Sequence, residues 1–435
     1  MKITRLHLFL AAAFAIGILS ALIHAAFPLL VDKTKWFWLA YSDIVPNEST
    51  AHTPGIPYLD YLVEYPVLTG LFIRLMGVLG PGRWQYYGLT CGCLILLAVL
   101  GTYFLYRSAK FDDSKRLLRY WILAPSMFFF LIYNWDIMPV LCVIVALYLN
   151  AKDKDCLASV ALAFGFSCKF YPVLYLVPLL MKHRTASSWV KIIGAFGATA
   201  LALNLFFMVS NFDGWYHFFS FNSTREPNPD SIWGIAYYWI RPQSVVPINI
   251  LSLLLFAGGS AIAVWRFRHE STIRLWFALT LVFLLSNKVF SPQYSLWLLP
   301  FFVLSPSPGT DAGRRLFYAF ELSNLAVLFC FWSQYEPAKQ TQGLVYAFQF
   351  FTVIRHVLLL WILAKVMKGG LDTRHSPQNA GGPDGPCRAQ PSEDNGDDPL
   401  PVRTPRLLML GLEGLFSRTA GVQQDSSPAR FLGQD

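Results

Sequence analysis

Several short stretches of this 435-residue chain place ionisable side chains among apolar residues. Lys169 stands between two apolar runs, in Cys168-Lys169-Phe170-Tyr171-Pro172, with almost no loop around it. Asp136 closes Asn134-Trp135-Asp136, and Lys288 opens the stretch that continues to Ser291-Pro292-Gln293-Tyr294. Upstream, segment 31–65 holds Asp43, Glu48, His52, Asp60 and Glu64, and ends in Glu64-Tyr65-Pro66. Ionisable groups at membrane depth are costly and mark function by default. A carboxylate within hydrogen-bond reach of a hydroxyl can take its proton. An ammonium can hold negative charge as it develops. Each group also has a plainer reading. Lys169 would snorkel to an interface or pair with Asp136, Lys288 would mark a helix end, and Asp43 would cap a helix or sit in a solvated loop. His24 and His356, single in apolar runs, read as packed core residues.

The elements that position these groups follow from composition. Hydrophobic types make up 55% of the chain and charged types 14%, against about 25% charged in a soluble domain. Such a chain would expose large apolar patches to water, so lipid is its solvent. The 14 Trp and 20 Tyr suit two interfacial belts. The formal net charge of +9 falls in short loops between apolar runs, a positive-inside pattern that argues against nucleic acid as partner. The seven Cys suggest neither a structural disulfide nor a metal motif.

Apolar segments at 6–30, 84–107, 117–133, 135–149, 156–168, 171–181, 188–209, 246–265, 273–287, 293–304, 314–332 and 344–366 read as spans. Residues 66–80 are also hydrophobic, but a helix of that length covers only ~22 Å of a ~30 Å core, and Arg74 lies at its middle. If 66–80 does not span, Arg107, Lys115, Arg116, Arg119, Lys152, Lys182, Arg266, Arg314, Arg315 and Lys365 all fall inside. The expectation is therefore an all-α polytopic membrane protein of about twelve transmembrane helices. Both termini are cytoplasmic, and a short outer-leaflet helix lies in the first outer loop. A short amphipathic helix is expected over 35–41. Residues 369–435, rich at first in Gly, Pro, Asp, Asn and Ser, read as a disordered cytoplasmic tail following a membrane domain of residues 1–368.

In this topology Glu-Tyr-Pro (64–66), Asn-Trp-Asp (134–136), Lys-Phe-Tyr-Pro (169–172) and Phe-Ser-Pro-Gln-Tyr (290–294) share the outer side with an early acidic loop residue. In that order they resemble the GT-C superfamily of membrane glycosyltransferases, and most nearly glycosyltransferase family 87, over about residues 5–365. Val67 departs from the family pattern, which usually has a second Pro there. The resemblance implies a GT-C-like fold and a sugar donor carried on polyprenyl phosphate, with mannose as the family-level choice. It also implies transfer, with inversion at the anomeric carbon, to a glycan or glycolipid hydroxyl on the outer face of the cell (inner) membrane. By position Asp43 corresponds to the family's first-loop catalytic base.

The residues fit that chemistry. A phosphate leaving group is already a stable anion, so one base suffices where glycosidases need two carboxyl groups. Positive charge is needed where the anion departs, and Lys169 and Lys288 are the candidate donor-phosphate ligands. No cofactor or metal is required, since a monophosphate carries less charge than a nucleotide diphosphate. Tyr58, Tyr65, Trp135, Tyr171 and Tyr294 could stack on sugars or anchor at the interface. Gln293 joins the substrate-orienting candidates. Glu64 and Asp136 are rivals to Asp43 as base, or would orient Lys169 or the acceptor. A secondary transporter or lipid flippase, with 156–168 and 171–181 as a broken pair around Lys169, is a competing class. A surface-glycan polymerase or ligase is another.

Overall fold

A backbone in lipid must satisfy its own hydrogen bonds, and an α-helix does this within one segment. A computed structural model describes residues 4–26, 37–108, 114–269, 272–305, 311–331 and 342–368. Among these residues the regular structure is helical, without an extended strand. In chain order the main helices are α1 (Arg5–Ala25), α2 (Val67–Leu79), α3 (Arg83–Ser108), α4 (Ile137–Asn150), α5 (Asp155–Cys168), α6 (Ala186–Ser210), α7 (Phe212–Thr224), α8 (Ile232–Ile240), α9 (Val246–Phe267), α10 (Thr272–Ser286), α11 (Asp311–Cys330) and α12 (Gln342–Met367). The expected tail at 369–435 lies outside the described residues.

Of these, α1, α3, α6, α9 and α12 are long and apolar enough to cross a membrane. The α9 helix leaves Leu253, Leu254, Leu255, Ile262 and Trp265 exposed, a face that only lipid or another protein can cover. By contrast α2, α4, α5 and α10 are apolar but run only 13 to 15 residues.

Two of the segments read as continuous spans are broken. In 117–133 a π-helical turn over Leu118–Ile122 is followed by a new helix, Pro125–Phe130. Pro125 lacks an N–H and drives Ala124 to an extended conformation (ψ 132°). In 293–304 a 3-10 turn over Pro292–Trp297 precedes Leu299–Leu304. Segment 171–181, by contrast, is continuous: a 3-10 turn over Tyr171–Tyr175 runs directly into the helix Leu176–Met181. The amphipathic helix expected over 35–41 is, within the described residues, a single 3-10 turn at Phe37–Ala40.

The core is built from α3, α4 and α5 packed together, joined by the 120–133 segment, α10, the 294–303 stretch and α11. Basic residues of two connections are tied to neighbouring elements. Lys182 pairs with Asp153 at 2.8 Å and Asp155 at 3.0 Å, and Arg116 donates to the Phe302 carbonyl at 3.2 Å.

The α2 helix is short, as expected. Its Arg74 donates to the carbonyls of Gly55 and Ala51, at 3.1 Å each, so the guanidinium is held by the preceding loop. That loop is locked onto α2 by Tyr58, whose hydroxyl lies 2.9 Å from the carbonyls of Tyr65 and Pro66. The ring passes so close to Gly70 that a Cβ there would sit 2.0 Å from the hydroxyl oxygen. Gly70→Ala must displace Tyr58, and should lower stability by about 1–3 kcal/mol. Gly88, in α3 with nothing within 4 Å of a Cβ, is the control. Thermal unfolding in detergent should give a lower Tm for Gly70→Ala and an unchanged or higher one for Gly88→Ala.

Candidate active site

Asp43 lies in the turn that follows Phe37–Ala40. Its backbone N–H donates to the Tyr133 carbonyl at 2.8 Å, and the adjoining Ser42 hydroxyl donates to the Ile132 carbonyl at 2.6 Å. These bonds pin the turn against the Asn134-Trp135-Asp136 segment. The carboxylate caps no helix. Its Oδ1 accepts from Tyr41 Oη at 2.8 Å, and its Oδ2 from Asn134 Nδ2 at 2.7 Å. A carboxylate has about four lone-pair sites, so each oxygen can accept once more. Desolvation raises the pKa of Asp43 above the ordinary value of 3.8. The bonds from Tyr41 and Asn134 and the charge of Lys169 oppose that rise, and Asp136 adds to it.

Asp136 immediately precedes α4 and is buried. Its Oδ1 accepts from Lys169 Nζ at 2.6 Å and from Trp297 Nε1 at 2.8 Å. Its Oδ2 is buried with no hydrogen bond among the described residues. Lys169 follows the last residue of α5 and keeps 20% of its side chain exposed. Its ammonium lies 4.4 Å from the centre of the Tyr294 ring and 5.3 Å from that of Trp297. One of its three N–H groups is used by Asp136, leaving two donors. Tyr294 stacks on Trp297 at 4.1 Å, and Trp297 on Tyr171 at 3.9 Å. Tyr65 meets Trp135 edge to face at 5.2 Å.

Asp43, Tyr65, Asp136, Lys169, Tyr171 and Tyr294 are thus joined through Asn134, Trp135 and Trp297. Other candidates make no hydrogen bond to this set among the described residues. Glu64 is exposed, with no hydrogen bond or ion pair among the described residues. Gln293 is buried and its Oε1 has no hydrogen-bond partner among them. Lys288 donates to the carbonyls of Arg225 at 2.8 Å and Ser223 at 3.2 Å. It therefore ties the end of α7 to the 287–294 stretch. Burial, then the charge of Arg225, lowers its pKa to about 8.

Sequence reasoning missed the polar groups behind the motif. Arg355 of α12 is fully buried. It donates to Asn324 Oδ1 at 2.8 Å, to the Phe290 carbonyl at 3.3 Å and to the Asp230 carbonyl, and lies 3.9 Å from the centre of the Phe290 ring. Asn324 in turn donates to the Pro292 carbonyl at 2.8 Å. Burial raises the Asp230 carboxyl to about 6, against the pull of Arg355. Glu321 accepts from the Ser126 N–H at 2.7 Å and from its hydroxyl at 2.8 Å. Arg355 and Glu321 each stand inside an apolar run, the same signal that singled out Lys169. A nearly all-apolar cavity of about 410 Å³ between α11 and α12 contains none of the candidate residues.

A largely helical chain with apolar helices long enough to span, and with carboxylates and a lysine gathered beside aromatic rings, has the makings of a membrane-bound transferase. Residues 61–292, just over half of the chain, match the model of glycosyltransferase family 87. The chain belongs to glycosyltransferase family 87, and is a membrane glycosyltransferase. The matched stretch contains Tyr65, Asp136, Lys169, Tyr171 and Lys288, whereas Asp43, Gln293 and Tyr294 fall outside it. No curated protein matches the chain.

Removing one member of the Lys169–Asp136 pair leaves the other charge buried. Lys169→Met should therefore cost about 3–5 kcal/mol, read as a fall in Tm. The double variant Asp136→Asn/Lys169→Met leaves no uncompensated charge and keeps an acceptor for Trp297. It should recover most of that loss. A double variant as unstable as the single one would show that the pair's partners are elsewhere.

Proposed function

We propose that this glycosyltransferase moves a sugar, mannose by family analogy, from a polyprenyl-phosphate donor to a hydroxyl of a glycan or glycolipid. Transfer inverts the anomeric carbon on the outer face of the cell (inner) membrane, in a GT-C-like scaffold of about twelve spans with both termini cytoplasmic. The observation that carries this reading is the convergence of Asp43, Asp136 and Lys169 through Asn134 and Trp297. One carboxylate is available as base, and one lysine, already charge-balanced, keeps N–H donors for a phosphate.

In this mechanism Asp43 accepts the proton of the acceptor hydroxyl as its oxygen attacks the anomeric carbon. The bond from that carbon to the phosphate oxygen breaks, and polyprenyl phosphate leaves with the electron pair. Lys169 stabilises the departing anion. Asp136 and the rings of Tyr294 and Trp297 hold the ammonium in place, and Lys288 shapes the neighbouring loop. Tyr65 and Tyr171 wall the site, and Gln293 orients substrate. A monophosphate leaving group asks for no metal.

The test is purified protein incubated with radiolabelled polyprenyl-phosphate mannose, arabinose or glucose and an alkyl glycoside acceptor. Wild type should transfer label from at least one donor. Asp43→Asn should lower turnover by a factor of 10² or more while retaining donor binding, and normal turnover by that variant would remove Asp43 as the base. The base must be ionised, so kcat/KM should fall as pH drops through the raised Asp43 pKa. Tyr41→Phe removes a hydrogen bond that holds this pKa down, and should move the acid limb of the pH profile to higher pH. A limb that stays in place or moves down would contradict the assignment.

A further inference from the structure

Beyond the cluster around Lys169, a cavity of about 500 Å³ opens between the 226–242 segment and the N-terminal half of α12. We propose that it is the subsite for a neutral saccharide portion of the acceptor, an inference that rests on the transferase reading above. Its volume is that of a small-ligand pocket, and its lining combines polar groups with aromatic faces. Glu226 presents a carboxylate oriented by Tyr237, whose hydroxyl donates to Oε1 at 2.7 Å. Gln349 reaches in from α12, its Oε1 held by Trp239 Nε1 at 3.3 Å, which leaves the amide nitrogen to donate elsewhere. Arg241 brings a guanidinium, and Tyr238 an exposed ring.

The charges select the ligand class. The lining carries one carboxylate and one guanidinium, so it has no formal net charge to single out an anion. It offers acceptors and donors side by side, which matches vicinal hydroxyls, and rings that match the apolar face of a sugar. Arg241 is held at a backbone cost. It ends α8 in the left-handed conformation, φ 47°, a position where glycine is the usual residue. The cleft is also coupled to the candidate active site. The Lys288 carbonyl accepts from the Asn228 N–H at 3.0 Å, and Asn228 Nδ2 donates to Ser291 Oγ at 2.9 Å. The wall of the cleft and the 287–294 stretch therefore share one frame.

The experiment uses the full chain purified in a detergent without a sugar headgroup. Octyl dimannoside, octyl diarabinoside and octyl maltoside serve as probes, with inorganic phosphate and anionic phospholipid vesicles as separate arms. Tryptophan fluorescence, reporting through Trp239 beside Gln349, should change saturably with at least one disaccharide and with neither anionic probe. Glu226→Gln and Arg241→Gly, the latter suited to the left-handed backbone, should each raise the KM for that acceptor at least tenfold and leave the donor KM unchanged. Acceptor KM values unchanged in both variants, while wild type transfers sugar, would overturn the subsite and leave the transferase reading standing. A fluorescence response to the anionic probes alone would overturn it in favour of a lipid headgroup. Should wild type transfer nothing, the transferase reading fails, and the fluorescence titration decides the subsite independently.

Discussion

The contact on which the site depends is the 2.6 Å ion pair between Lys169 and Asp136. A buried carboxylate and an ammonium with one-fifth of its side chain exposed are each costly alone, and each makes the other tolerable. The pair joins the end of α5 to the start of α4, and through Trp297 it takes in the stretch after α10. Asn134, two residues before Asp136, carries the connection on to Asp43. Chain segments from four separate parts of the sequence therefore meet because one charge cannot be left without its counterpart.

A second set of buried polar bonds supports the first from behind. Arg355 and Asn324 bind the carbonyls of Asp230, Phe290 and Pro292, and Glu321 binds Ser126, whose hydroxyl lies 2.6 Å from that of Ser295. Irregular backbone at 287–292 would otherwise leave the Phe290 carbonyl without a donor and the Pro292 carbonyl with one fewer, a cost away from water. Side chains from α11 and α12 supply those donors. The loop beside the candidate site is thus set by helices that contribute no group to the cluster itself.

The motif residues were legible because each broke an apolar run: Asp136 and Lys169 both stood out by charge, and the structure pairs them. Arg74 was legible for the same reason, though its partners, the Gly55 and Ala51 carbonyls, were not, since carbonyls have no sequence signature. Arg355 and Glu321 carried the same signal and were absorbed into presumed spans. The breaks at 123–124 and 297–298 were not legible from hydropathy, because a broken helix buried among others stays apolar on both sides of the break. Asp43 could be named from its place in the first loop. Its hydrogen bonds to Tyr41 and Asn134 depended on a turn pinned to Tyr133, ninety residues away in the chain.

The 3-10 turn at Pro292–Trp297 has a consequence for cation recognition. With three residues per turn, side chains three apart eclipse one another, so Tyr294 and Trp297 lie ring over ring, 18° from parallel. In an α-helix the same two positions would diverge by about 60° around the axis. The tighter winding turns an ordinary i, i+3 spacing into a two-layer π surface facing a single ammonium. A regular helix here would keep both aromatic residues and lose the surface they form together.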